Sequence, residues 1–269
     1  GSLCGLVLRS RGFAPTILDQ GARAIGGRLG GGREPDSGAA FLRASDAGSQ
    51  FASVLEMLAR EKLVAPWTGR FGILGSKGGL LPLEVARGTQ VFAMRKDGEE
   101  QAAASDGGDF CGFVAGSTSS ASPLYVGMPS NAAVCEGIAS LAGIPVLKGQ
   151  SVTGAALNPA GRWRLELGGE LGGEGSGEYD ALVLASHDAR LAAATVDALA
   201  TAAPEEVAGR MGELASSLRR VREEAQPAFT LSAYYRGESL ARVPFDAATV
   251  PGGAAVQFVA LDASKPGRG

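Results

Sequence analysis

The chain has 269 residues, 45% of them hydrophobic and 20% charged, with a formal net charge of −3. That is enough apolar chain for one large or two modest domains, and it excludes wholesale disorder. The acidic balance excludes a dedicated nucleic-acid binder, which carries a basic stripe.

In chain order, residues 2–12 predict a helix, with Leu3, Leu6 and Val7 at helical spacing and Gly12 as its stop. PTILD (15–19) predicts a short buried strand closing on Asp19, and 21–38 a glycine-rich loop. Phe51, Val54, Leu55 and Leu58 predict an amphipathic helix from Ser49 to Lys62. Residues 64–128 predict short strands and turns, with an exposed loop over 99–109. Ser130 caps a predicted helix running to Gly143, with Val134, Ile138 and Leu141 inward. Strands are predicted over 144–157 and 162–167, with a flexible turn over 168–178.

YDALVLAS (179–186) is a near-continuous apolar run, as a strand covered on both faces requires. Residues 187–225 predict helix broken at Pro204, and 229–237 and 254–262 predict sheet strands. No tandem repeat is evident. The longest uncharged run, Phe110 to Cys135, is interrupted by Pro123 and Pro129, so no membrane contact is expected. The mixed order predicts a nucleotide-binding α/β domain interrupted by a second sheet domain.

Cys4, Cys111 and Cys135 are few, odd in number and far apart, which excludes a disulfide framework or zinc site. With His187 the single histidine, a histidine-rich metal site is excluded, and no metal is expected. Glycine weighs on every motif: 41 residues is roughly twice the usual share of about 7%.

Three constellations remain. The first is Asp19 at a strand end, 18 positions after Gly1 at the start of a helix. A dinucleotide-binding βαβ unit sets an acid at about that distance, where it accepts from the ribose hydroxyls while the helix N-terminus faces the pyrophosphate. An ordinary helix–strand pair with a solvated Asp has about the same claim. The second is Ile25-Gly26-Gly27-Arg28-Leu29. Paired glycines let backbone approach a phosphate, and a forked guanidinium pairs with it. The third is Asp36-Ser37-Gly38-Ala39-Ala40, a small-residue turn able to pass close to a flat ring, though taken singly it reads as a plain turn.

Asp19, GGRL, DSGAAFLRASD, VAPWTGRFG, YVGMPSNAAVCEGIAS, RWRLEL, YDALVLAS and FVALDASKPGR, in that order, resemble the renalase-like branch of the FAD-dependent amine oxidases. The resemblance spans nearly the whole chain. It implies an α/β fold: a Rossmann-type FAD-binding domain of the glutathione-reductase kind with an interleaved mixed-sheet substrate domain. The implied division is 1–48 and 128–200 for the FAD domain and 49–127 and 201–269 for the substrate domain. Gly1 and Ser2 then resemble the end of the phosphate loop, Asp19 the ribose acid, and Gly26, Gly27 and Arg28 the second pyrophosphate motif. Gly38 and Ala39 resemble the turn beside the flavin, and Val152 the strand residue whose backbone reads the adenine edge. Trp67 and Tyr125 are candidates for an aromatic lining.

The implied activity is oxidation of an amine or reduced nicotinamide-like small molecule, with FAD as electron acceptor. No catalytic residue is singled out; His187, Tyr125 and Lys148 are open alternatives. Two departures stand out: Ala40 where members carry Gln, and Asp19 where they often carry Glu. The first strand and the segment covering the flavin have no counterpart here, so the chain is expected to be a fragment. A nicotinamide-only dehydrogenase and a non-catalytic relic without cofactor are the alternative readings. The expected setting is intracellular, cytoplasmic or organellar, with a plastid compatible with the Ala/Gly-rich composition.

Overall fold

The computed structural model describes residues 1–29, 36, 38–44, 48–74, 80–82, 123–168, 177–186, 189–224, 229–236, 240, 243–250 and 256–268. The exposed loop expected over 99–109, together with Cys111 and His187, lies outside the described residues. The chain is mixed α/β with several small sheets. It divides into two compact units, one of residues 1–32 and 135–230, the other of 33–134 and 231–269.

In the first unit, α1 (Ser2–Ser10) leads into β1 (Ile17–Asp19). β1 pairs in parallel with β6 (Val146–Lys148), setting Asp19 across from Lys148. A parallel pair needs a covered crossover, and its inner surface here is Ile25, Ala139 and Ile144, packed by Ile17, Ala142 and Val146. β7 (Ser151–Leu157), β8 (Trp163–Gly168) and β9 (Glu178–Tyr179) form an antiparallel meander. Two packed helices follow, α4 (Arg190–Ala202) and α5 (Glu205–Glu223), split at Pro204.

The second unit holds α2 (Gln50–Arg60), the antiparallel pair β2 (Val64–Pro66) and β5 (Tyr125–Gly127), and a four-stranded sheet. In that sheet β3 (Phe71–Leu74) lies between β4 (Leu80–Pro82) and β10 (Ala247–Thr249), with β11 (Phe258–Ala260) beyond β10. β10 runs parallel to β3 and the other pairings are antiparallel. Its core is Trp67, Phe71, Leu124, Val126 and Ala247. The rings of Trp67 and Phe71 meet edge-on at 4.8 Å, an arrangement their quadrupoles favour. α3 (Asn131–Leu141) starts in this unit and ends in the first.

Helix ends follow local chemistry. The Ser49 hydroxyl accepts from Ala52 N–H and caps α2, and the Ser130 hydroxyl accepts from Ala133 N–H at the start of α3. α1, α2 and α3 each stop in a Schellman turn, with paired backbone bonds closing on Leu8, Leu58 and Ala139. The left-handed residue is Gly12 in α1 and Gly143 in α3, but Lys62 (φ 59°) in α2.

Two predicted strands are corrected. Of 179–186 only Tyr179 joins a ladder; 181–186 carries no strand, and Val183 is 55% exposed. Residues 229–236 likewise carry no strand, with Phe229 98% exposed. An apolar alternation makes a strand only where a second backbone supplies the ladder. The expected run 144–157 is two strands, interrupted at Gly149, which has φ 70°.

Candidate functional site

Asp19 ends β1 with one carboxylate oxygen accepting from the Gly21 N–H at 2.7 Å. This local turn fixes the side chain at the strand terminus and bends the chain into the glycine loop. The Gln150 N–H donates to the Asp19 carbonyl at 3.0 Å, so Val152, two residues further along β7, lies near the same end. Val152 pairs with Leu167, and the ladder slips between Val152 and Gly154.

The loop returns through Gly26 (φ 110°) and Gly27 (φ 51°) into a tight turn over 27–29, closed by the Leu29 N–H on the Gly26 carbonyl. A side chain at Gly26 would stand 2.9 Å from the Cys135 Sγ, so here glycine is needed for both conformation and space. Cys135 lies on α3 against Ile25. Its thiol receives a hydrogen bond from the Ser2 hydroxyl, on the first turn of α1. Burial pushes the thiol above its ordinary range, Asp19 and Glu136 push it the same way, and Ser2 opposes them.

Cys135 is therefore a common neighbour. Ser2 and Gly26, distant in sequence, border one thiol in the first unit, and the charge of Asp19 acts on it from further off. Gly1 caps α1 with its carbonyl, accepting from the Gly5 N–H, and among the described residues no side chain caps that end. Unmet N–H groups at a helix start form an anion site. The Arg28 backbone lies in the 27–29 turn. Lys148 anchors the loop from outside: its Nζ pairs with Glu136 and donates to the Arg23 carbonyl at 3.2 Å. Sequence reasoning missed Cys135 and Glu136; both sit in the quoted VCEGIAS stretch, where their helical positions were the available signal.

Gly38 and Ala39 belong to the second unit. There the Asn131 side chain donates to the Ala39 carbonyl at 2.6 Å and accepts from the Gly127 N–H at 2.6 Å. The turn at 36–40 is thus pinned to the start of α3. Asp36 is the hub: it accepts from the Asn131 N–H (2.9 Å), Lys265 Nζ (2.9 Å) and Arg268 Nη2 (2.7 Å). Trp67, a candidate lining residue, is core; its indole N–H donates to Ser264 Oγ at 3.3 Å. Tyr125 exchanges backbone bonds with Leu42.

Among the described residues, no group of three or more His, Cys, Asp or Glu is arranged to hold a metal, and no helix is long and apolar enough to cross a membrane. No protein-family model matches the chain. No curated protein matches it.

Proposed function

We propose that the chain carries the adenine-dinucleotide grip of an FAD-dependent oxidoreductase of the renalase-like amine-oxidase type, in a Rossmann-type domain, acting on an amine or reduced nicotinamide in an intracellular setting. The observation that carries this reading is that Ser2 and Gly26 meet at the Cys135 thiol while the Asp19 carboxylate, at the end of β1, acts on the same thiol through its charge. A sugar-binding carboxylate and two phosphate-binding backbone segments must border one another for a single dinucleotide to span them. Asp19 keeps its second carboxylate oxygen outside the Gly21 bond, available to ribose hydroxyls. The start of α1 and the turn at 26–28 supply backbone donors to the diphosphate, and Arg28 brings a cation to that turn. The backbone at Val152 reads the adenine edge. Bound flavin supplies the electron-pair acceptance and the reoxidation by oxygen.

Titrating the protein with FAD and following flavin fluorescence and anisotropy tests the assignment. Saturable binding is expected. Asp19→Ala with Arg28→Ala should weaken it by at least roughly a hundredfold, since each removes a charge-assisted contact worth about 1.5–3 kcal/mol. Unchanged binding in the double variant sinks the assignment of the site. Binding of a nicotinamide dinucleotide but not FAD points to the dehydrogenase, and binding of neither to the relic.

A further inference from the structure

Two consecutive residues of α3 grip the glycine loop 21–26 at its two ends. At one end a side chain at Gly26 would strike the Cys135 Sγ. At the other, Glu136 pairs with Lys148 Nζ, which also donates to the Arg23 carbonyl at 3.2 Å. Lys148 ends β6, directly across the parallel ladder from Asp19. The residues after it continue the grip. The Gly149 N–H donates to the Gly21 carbonyl at 3.2 Å, and the Gln150 N–H to the Asp19 carbonyl at 3.0 Å. Between these ties the loop doubles back on itself, since a Cβ at Gly21 would stand 2.5 Å from the Ala24 carbonyl oxygen. Ile25 then enters the core.

Arg23 lies on the exposed bend of this loop. A carbonyl there needs no lysine, because water satisfies it, and a half-exposed ion pair adds little to global stability. What the Lys148–Glu136 bridge supplies is a fixed offset between the strand end and the turn that follows the loop. We propose that Lys148 is a positioning residue of the dinucleotide site. Bridged to Glu136, it holds the loop so that Asp19 and the turn at 26–28 stand where one ligand can span them. This inference rests on the dinucleotide reading above. A ligand that touches both places gains from their fixed spacing, because it need not order the loop itself. A ligand that touches only one of them gains nothing from it.

Two probes titrated into the intact chain separate these cases: FAD, which spans both places, and adenosine, which reaches Asp19 and Val152 alone. Lys148→Met should raise the FAD dissociation constant roughly three- to tenfold and leave that of adenosine unchanged. Lys148→Arg, which can keep both the ion pair and the carbonyl bond, should bind FAD as the wild type does. Glu136→Gln, a milder change, should shift FAD affinity in the same direction as Lys148→Met. Asp19→Ala should mask the effect: in that background Lys148→Met should cost less than about twofold, because one of the two places is already gone. Helical circular dichroism should be retained throughout. Equal FAD affinity in the wild type and Lys148→Met overturns the proposal and leaves the dinucleotide reading standing. So does a loss shared equally by adenosine, or one that simply adds to that of Asp19→Ala, since either marks a general loosening. A wild-type chain that takes up no FAD overturns both.

Discussion

Asp36 and Arg268, 232 positions apart in sequence, meet at 2.7 Å with both side chains only 2% exposed. The same carboxylate oxygen also holds Lys265, itself 3% exposed and 5.6 Å from the Trp67 ring. One buried anion thus answers two buried cations, with Asp262 as a second, partly exposed counter-ion. The segment 262–268 is thereby tied to the start of α3.

Removing that anion strands two charges. Asp36→Ala is expected to cost about 3–5 kcal/mol, the range for breaking a buried pair by deleting one partner. Asp262→Ala should cost much less, because water reaches its side chain (25% exposed). Chemical denaturation of both variants checks the ranking; equal small losses would remove Asp36 from its place as hub.

Backbone conformation gives an opposed pair of expectations. A Cβ at Gly127 would collide with the Ser130 carbonyl and stand 2.7 Å from Asn131 Cα, so Gly127→Ala must push backbone apart. A loss of about 2–4 kcal/mol follows, as for other overpacked sites. Lys62 holds a left-handed conformation that costs a side-chain-bearing residue about 1–2 kcal/mol. Lys62→Gly should therefore keep or raise the melting temperature, against the usual cost of a new glycine.

The Cys135 thiol reports on the candidate site. Burial raises its pKa, so its thiolate fraction and alkylation rate should rise at higher pH than those of an unperturbed thiol. Asp19→Asn removes a neighbouring negative charge, which lowers that pKa and speeds labelling at a given alkaline pH. Mass-resolved alkylation across a pH series reads this directly. A profile unmoved by Asp19→Asn would separate the carboxylate from the thiol.

The half-exposed Lys148–Glu136 pair is worth little to global stability, about 0.2–1 kcal/mol. Its consequence is local, because Lys148 also holds the Arg23 carbonyl. Lys148→Met should leave the melting temperature nearly unchanged while hastening tryptic cleavage after Arg23. Time-resolved proteolysis with mass detection separates the two effects.

The helices were the legible part. Ser49 and Ser130 announced two starts, Gly12 and Gly143 two stops, and Pro204 the break between α4 and α5. These signals act within a turn of the residue that carries them, so the chain displays them without reference to its fold. Asp19 at a strand end before a glycine turn was legible for the same reason.

Ladders and buried charges were not. The runs 181–186 and 229–236 have the composition of strands, yet strand formation depends on a partner backbone that composition does not identify. Asp36 read as part of a plain turn because Lys265 and Arg268, which make it a hub, come more than two hundred residues later. Cys135 passed as one small residue of a helix until folding put Ser2 and Gly26 against it and the Asp19 charge within reach. Local propensity decided where the helices begin and end. Which distant groups share a dry interior, and so which charges must be answered there, was decided only when the chain closed on itself, because pairing and desolvation energies exist only between groups brought into contact.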